Sequence, residues 1–386
     1  MLNFSFQNAT HIYFGEGQIK ALSNAIPKDA KVLVTYGGGS IKTNGVYDQV
    51  VAALAEHSWF EFAGIEPNPS YATLMKAQAL IEQHDIDYLL AVGGGSVIDG
   101  TKFIAAAALY DGADPWDIIA QGAEIKSALP IGCVLTLPAT GSESNTAAVV
   151  TRDGHKLPFR NDLVRPAFAV LDPAVTLSLS DRQISNGVVD AFVHTVEQYL
   201  TYSVNAKVQD RFAEGLLQTL IEEGPKALAA DTKNDLAVRA NIMWAASMAL
   251  NGLIGAGVPQ DWATHMIGHE LTGAYGIDHA RTLSIVLPAI LKIRTEAKRD
   301  KLLQYAERVW QLTDGTEAVR IQRAIELTEE FFVAMQLPTR LMDVNLDETH
   351  IDGLIESLTQ HGMVQLGEHG DITPDVSREI LRLALV

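Results

Sequence analysis

Apolar residues in the first half of the chain fall into short runs separated by stretches with helical spacing. Lys31-Val32-Leu33-Val34-Thr35-Tyr36 reads as a buried strand ending at Gly37. Val46 to His57 repeats its apolar positions as an amphipathic helix does. A short strand is expected at Trp59–Phe62, and the Pro67-Asn68-Pro69 turn leads into a helix from about Tyr71 to His84. Tyr88–Val92 is a second apolar strand, followed by an Ala-rich helix from Ser96 to Leu109. Ile131–Leu135 and Ala167–Leu171 are further strands. Strands that alternate with helices imply a parallel sheet covered on both faces.

The pattern changes after Asp172-Pro173. From Asp181 onward the periodicity is helical, with helices expected through 190–199, 206–222, 236–250, 262–274 and 282–297. Gly224-Pro225 and Gly257-Val258-Pro259 punctuate them. The fold expected is α/β: a Rossmann-like, parallel-sheet nucleotide-binding domain over 1–180 and an all-helical, metal-binding domain over 181–386.

With 386 residues, the chain is long enough for two domains and a large core. Apolar residues make up 47% and charged residues 20%, which is too apolar for a disordered chain. Lys plus Arg number 29 against 47 Asp plus Glu, a net charge of −18 that argues against a nucleic-acid or anionic-membrane surface. Cys133 is the only cysteine and sits in an apolar run, so it reads as a core residue and permits no internal disulfide. The N-terminus has no basic region followed by an apolar core, and no apolar stretch reaches spanning length. The expected setting is soluble and cytoplasmic, with no nucleic-acid or membrane partner.

Three polar segments end predicted strands. Gly93-Gly94-Gly95-Ser96 closes a strand and opens a helix, where glycines let a phosphate approach the backbone and the helix start offers N–H groups. Ser96 suits either a cap or a phosphate oxygen. The spacing is not the Gly-x-Gly-x-x-Gly fingerprint. Gly37-Gly38-Gly39-Ser40 ends the first strand. No acid stands there to hold a ribose 2′-hydroxyl, only glycines, Ser40 and Lys42, which leaves room for a 2′-phosphate and favours NADP over NAD. Thr136 to Asn145 is dense in hydroxyls at the carboxyl edge of the predicted sheet.

Two pairs of metal-type ligands stand four residues apart: Asp190 with His194, and His265 with His269. That spacing places both side chains of a pair on one helix face. His279 follows ten residues later, so one of the second group must serve another purpose in a four-coordinate site. Histidine with carboxylate suits zinc or ferrous iron better than magnesium or calcium. No Glu lies between His265 and His269, which weakens a metallohydrolase reading.

Gly93-Gly94-Gly95-Ser96-x-x-Asp99-x-x-Lys102, Thr136-x-x-x-Thr140-Gly141-Ser142-Glu143, Asp190-x-x-x-His194 and His265-x-x-x-His269-x9-His279 together resemble the iron-containing (group III) alcohol dehydrogenases over nearly the whole chain. Tyr36–Ser40, Gly187–Tyr199 and Gly255–His265 look most like the NADPH-dependent aldehyde reductase and butanol dehydrogenase branch. The resemblance implies that Asp190, His194, His265 and His279 bind the metal, zinc or alternatively iron, and that His269 lies beside the nicotinamide as a catalytic residue. It implies that Gly94, Gly95, Ser96 and Asp99 hold the pyrophosphate region and that Gly37, Gly38 and Ser40 face the 2′-phosphate of NADPH or NADP+. Asn68, Thr136, Thr140, Ser142, Asn145 and Lys156 match further cofactor-side positions. A homodimer that reduces small aldehydes, or oxidises the matching primary alcohols, is expected. Trp262 and Phe192 are candidate pocket walls. A lyase of the dehydroquinate-synthase type shares this two-domain plan, but it needs a basic cluster, and the second half is poor in clustered Arg and Lys.

Overall fold

A computed structural model describes residues 1–386. Eight strands form: β1 His11–Phe14, β2 Lys31–Tyr36, β3 Ser58–Phe62, β4 Tyr88–Gly94, β5 Ile131–Leu137, β6 Ala147–Arg152, β7 His155–Arg160 and β8 Phe168–Leu171. Six of them make one parallel sheet in the order β1-β8-β5-β4-β2-β3. The runs in β2, β4 and β5 are continuously apolar because both faces are covered. Leu33, Leu89, Ala91 and Cys133 enter one core cluster, while Val32, Val34, Leu90 and Val134 enter the other. Each Leu or Val fully buried there contributes about 1.5–3 kcal/mol.

Strand order reverses beside β2. From β2 the chain moves outward to β3, then returns to pair β4 on the opposite side of β2. In open α/β sheets, ligands bind beyond the carboxyl ends of strands at such a reversal. Tyr36 pairs with Val92 as the last β2–β4 pair, so Gly37–Gly39 and Gly93–Gly95 continue side by side from that point.

Two elements escape the apolar pattern. Strand β1 is only four residues long and is defined by its pairing with β8. Strands β6 and β7 form an antiparallel hairpin around Asp153 and Gly154, with φ of 52° and 83°. That Asp-Gly pair is a two-residue hairpin signal, because both positions need positive φ. The helix expected over 71–84 divides into Tyr71–Leu74 and Lys76–His84.

The second half is helical. Its central helix, Asp181–Tyr199, starts at a capping box in which Ser180 accepts from the Gln183 amide and Gln183 accepts from the Ser180 amide. Nearly every residue from Ile184 to Tyr199 is buried, as expected of a helix surrounded by others. The helices Lys207–Lys226, Leu236–Ala249, Ala263–Tyr275 and His279–Ile293 follow. Pro225 stands inside the last turn of its helix instead of after it, and the fifth expected helix begins three residues early, at His279.

The chain divides into two compact units. One comprises 7–179 with 234–243, and the other 1–6, 180–233 and 244–386. The first six residues thus go with the helical unit, and the segment 234–243 goes with the sheet unit.

Candidate metal and nucleotide sites

Asp190 and His194 lie one turn apart on the central helix, and His265 and His269 repeat that spacing on Ala263–Tyr275. His279 opens the next helix. Its preceding residue, Asp278, accepts from Arg182 at 2.6 Å and from Asn186 at 2.8 Å, which ties that helix start to the central helix.

Three imidazole nitrogens converge on one carboxylate oxygen. Asp190 Oδ1 lies 3.7 Å from His194 Nδ1, 3.7 Å from His265 Nε2 and 3.8 Å from His279 Nε2. These separations are too long for hydrogen bonds. They approach the edge of a ligand tetrahedron, about 3.4 Å for bonds near 2.1 Å. Ligand atoms of Asp190, His265 and His279 all lie within 4.8 Å of one another. The His194 ring stacks on His265 at 4.5 Å. Asp190, His194 and His265 are buried, yet His194 Nδ1 and His265 Nε2 have no hydrogen-bond partner. Buried nitrogens left in this way are costly unless a cation takes them. The donor set fits zinc or ferrous iron.

Glu197 completes the cluster, and the sequence reading missed it. It is buried on the face of the central helix that bears Asp190 and His194, at spacings of seven and three. Its carboxylate accepts from the Thr264 amide at 2.6 Å and hydrogen-bonds His265 Nδ1. With the proton held on Nδ1, Nε2 presents its lone pair toward Asp190. Burial opposes charge on His265, but Glu197 and Asp190 outweigh it and hold the imidazole up to about 9. Two carboxylates thus create a potential that calls for positive charge, and a divalent cation would satisfy it in place of a proton. His194 has only Asp190 to offset its burial and is pushed down to about 4.

His269 stands at the edge of this group, its ring 4.9 Å from His279 and 6.3 Å from His265. Trp262 precedes the helix with φ 65° and packs its ring 5.4 Å from His265 and 6.1 Å from His194. Phe192 is fully buried against Phe331 and Phe332, so it is a core residue and not a pocket wall.

In the sheet unit, the glycines of the β4 turn answer to packing rather than to backbone sign. A Cβ on Gly93 would stand 2.6 Å from Val97, and one on Gly95 would stand 2.5 Å from Thr140 Oγ1. The helix Gly95–Ala107 starts at Gly95 with no side-chain cap, so Ser96 does not act as one. Asp99, Ser142 and Asn145 are engaged internally. Ser142 donates to Asp99 at 2.5 Å, and buried Lys102 donates to Ser142 and Asn145, both at 2.9 Å, and to the Ala147 carbonyl at 2.8 Å. Burial pushes the Lys102 ammonium down to about 8, against the pull of Asp99. This network holds the hydroxyl-rich loop against the helix. Thr136 and Thr140 are half-buried beside it, and Lys156 lies in β7 opposite Thr151, where its charge reaches Asp99. Asn68 adopts φ 56° between its two prolines.

At the end of β2, Gly37 closes on the Ile65 carbonyl, whereas Gly38 faces open space and is exposed with Ser40. No acid follows β2 in sequence, but one arrives from the neighbouring strand. Glu61 of β3 accepts from Lys42 at 2.9 Å, from Tyr36 at 2.5 Å and from Tyr47.

Residues 9–173 match the iron-containing alcohol dehydrogenase family, and residues 184–381 match the C-terminal part of the same Fe-containing family. The chain belongs to the iron-containing alcohol dehydrogenases. It is 60% identical over 388 residues, covering 100% of both chains, to the NADPH-dependent aldehyde reductase YqhD of Escherichia coli strain K12. It is 38% identical to the NADH-dependent butanol dehydrogenase B of Clostridium acetobutylicum, over 99% of each chain. The substrate- and cofactor-free structure of the E. coli aldehyde reductase superposes with a TM-score of 0.93 at 57% identity, covering 99% of this chain and 100% of that one. The NADH-dependent butanol dehydrogenase A of Thermotoga maritima gives a TM-score of 0.95 at 34% identity, covering 100% and 99%. This membership supports the expected fold class and gives no support to a dehydroquinate-synthase-type lyase. No helix is long and apolar enough to cross a membrane.

Proposed function

We propose that this chain is a metal-dependent, NADPH-preferring aldehyde reductase acting on small aldehydes, and on the matching primary alcohols in reverse. The observation that carries the reading is the ring of three imidazole nitrogens 3.7–3.8 Å from one Asp190 oxygen, within a member of this family. Asp190, His194, His265 and His279 hold the cation. We take it as zinc; the family name points to iron, and the donor set accepts either. A cation there supplies Lewis acidity toward a carbonyl oxygen, and NADPH supplies the hydride.

The protein's own residues orient and protonate. Glu197 fixes the His265 tautomer and lets Nε2 act as a ligand. Trp262 shields the ligand rings from water on one side. His269, one turn beyond His265, delivers a proton to the developing alkoxide directly or through water. Gly37, Gly38 and Ser40 receive the 2′-phosphate. Gly94, Gly95 and Ser96 at the helix start, with Thr136, Thr140, Asn68 and Lys156, line the rest of the cofactor path. Asp99, Ser142 and Asn145 shape that path through Lys102.

The protein acts in the cytoplasm, in keeping with a lone cysteine that is buried. It works as a homodimer.

The test is metal analysis of protein purified without added metal, run beside NADPH and NADH oxidation on a panel of short aldehydes. Stoichiometric zinc or iron with faster NADPH turnover is expected. A metal-replete enzyme that oxidises NADPH with no aldehyde would overturn the reading.

A further inference from the structure

Lys42 is the only lysine or arginine between Gly37 and Ser70. It closes the single turn that begins at Gly39 and contains Ser40, with its amide donating to the Gly39 carbonyl at 3.0 Å. Its stem is therefore rooted on the turn assigned above to the 2′-phosphate. Its charge is nevertheless already committed. The ammonium lies 2.9 Å from Glu61 and over the rings of Tyr47 and Tyr36, at 4.6 and 5.2 Å from their centroids. Glu61 has three donors: Lys42 and the hydroxyls of Tyr36 and Tyr47. Lys42 remains 44% exposed and Glu61 30%, so the pair is free to open.

We propose that Glu61 and Lys42 form a cofactor-selecting pair, in which Glu61 draws Lys42 away from the 2′-phosphate and so limits the preference for NADPH over NADH. The inference rests on the cofactor reading given above. A dianionic phosphate over Gly38 and Ser40 competes with Glu61 for the ammonium. When Lys42 turns to the phosphate, Glu61 keeps both tyrosine hydroxyls and stays hydrogen-bonded. Its negative charge is then uncompensated beside a second anion. NADH has no 2′-phosphate, so with NADH the pair stays closed and nothing is lost. A carboxylate on the neighbouring strand thus does at the rim what an acid after β2 would do more strongly within the site.

Glu61→Gln retains the length of the side chain and an acceptor for the tyrosines. NADPH affinity, read by fluorescence titration of the whole enzyme, is expected to tighten about two- to fivefold, the range of one exposed ion pair. NADH affinity should not move. Lys42→Met should weaken NADPH by a similar factor and leave NADH alone, and in that background Glu61→Gln should have no further effect. Weaker NADPH binding in Glu61→Gln overturns the proposal. So does equal tightening of both cofactors, or an effect that persists without Lys42. If Glu61→Gln does not fold, an unchanged NADPH affinity in Lys42→Met overturns it alone. A wild-type protein that binds NADH but not NADPH overturns the cofactor reading and this inference together, whereas normal wild-type NADPH binding with unresponsive variants overturns only the pair.

Discussion

Replacing Glu197 by Gln isolates the contribution of one buried carboxylate to the metal site. Glu197 accepts two hydrogen bonds, from the Thr264 amide at 2.6 Å and from His265 Nδ1. Glutamine has one carbonyl oxygen and one NH2 group, so it cannot accept both. If the carbonyl keeps Thr264, the NH2 faces His265 Nδ1 and forces the imidazole proton onto Nε2, the atom aimed at Asp190. Keeping the useful tautomer then requires a buried donor to face a donor. A buried hydrogen bond to a charged group contributes about 1.5–3 kcal/mol. Losing such a support typically weakens metal binding about 10–100-fold, which is about 1.4–2.8 kcal/mol. The two routes agree, so a fall of that size is expected. The assay is competition for zinc against a chelator of known affinity at fixed pH, with thermal melting of the metal-free proteins to monitor the fold. Metal affinity within about twofold of wild type, in a variant that melts as wild type does without metal, would refute the reasoning.

His194→Ala should lose both metal and turnover, whereas His269→Ala should keep its metal and lose rate; equal metal loss in the two would show the histidines wrongly divided, as metal content and kcat measured together will tell. Gly38→Asp meets no atom within 4 Å and has no positive φ, so it introduces charge without strain. It should shift kcat/KM toward NADH at least tenfold, about 1.4 kcal/mol, and a larger NADPH preference would contradict the placement of the 2′-phosphate. Gly95→Ala puts a methyl 2.5 Å from Thr140 Oγ1. Overpacking of this kind costs about 1–3 kcal/mol, so denaturant unfolding should show that loss along with weaker NADPH binding, and wild-type behaviour in both would count against the turn.

Apolar periodicity made the sheet legible because β2, β4 and β5 are buried on both faces and read as continuous apolar runs. The ligand pairs were legible because a helix brings residues four apart onto one face regardless of what surrounds it. The Asp-Gly hairpin was readable in the same local way, though it was overlooked. Other features depend on which elements become neighbours, and no local spacing contains that. Glu61 meets Lys42 because β3 pairs with β2, nineteen residues further along the chain. The Gly93 and Gly95 positions are set by Val97 and Thr140 closing on them rather than by a turn that needs positive φ. Glu197 shared a helix face with Asp190 and His194, so its position was visible in the sequence. Its partner was not, because only packing of the Ala263–Tyr275 helix against the central helix brings His265 Nδ1 to that carboxylate. The sequence determined which side chains could ligate, and the tertiary structure decided that Glu197 takes His265 Nδ1 and turns Nε2 toward Asp190.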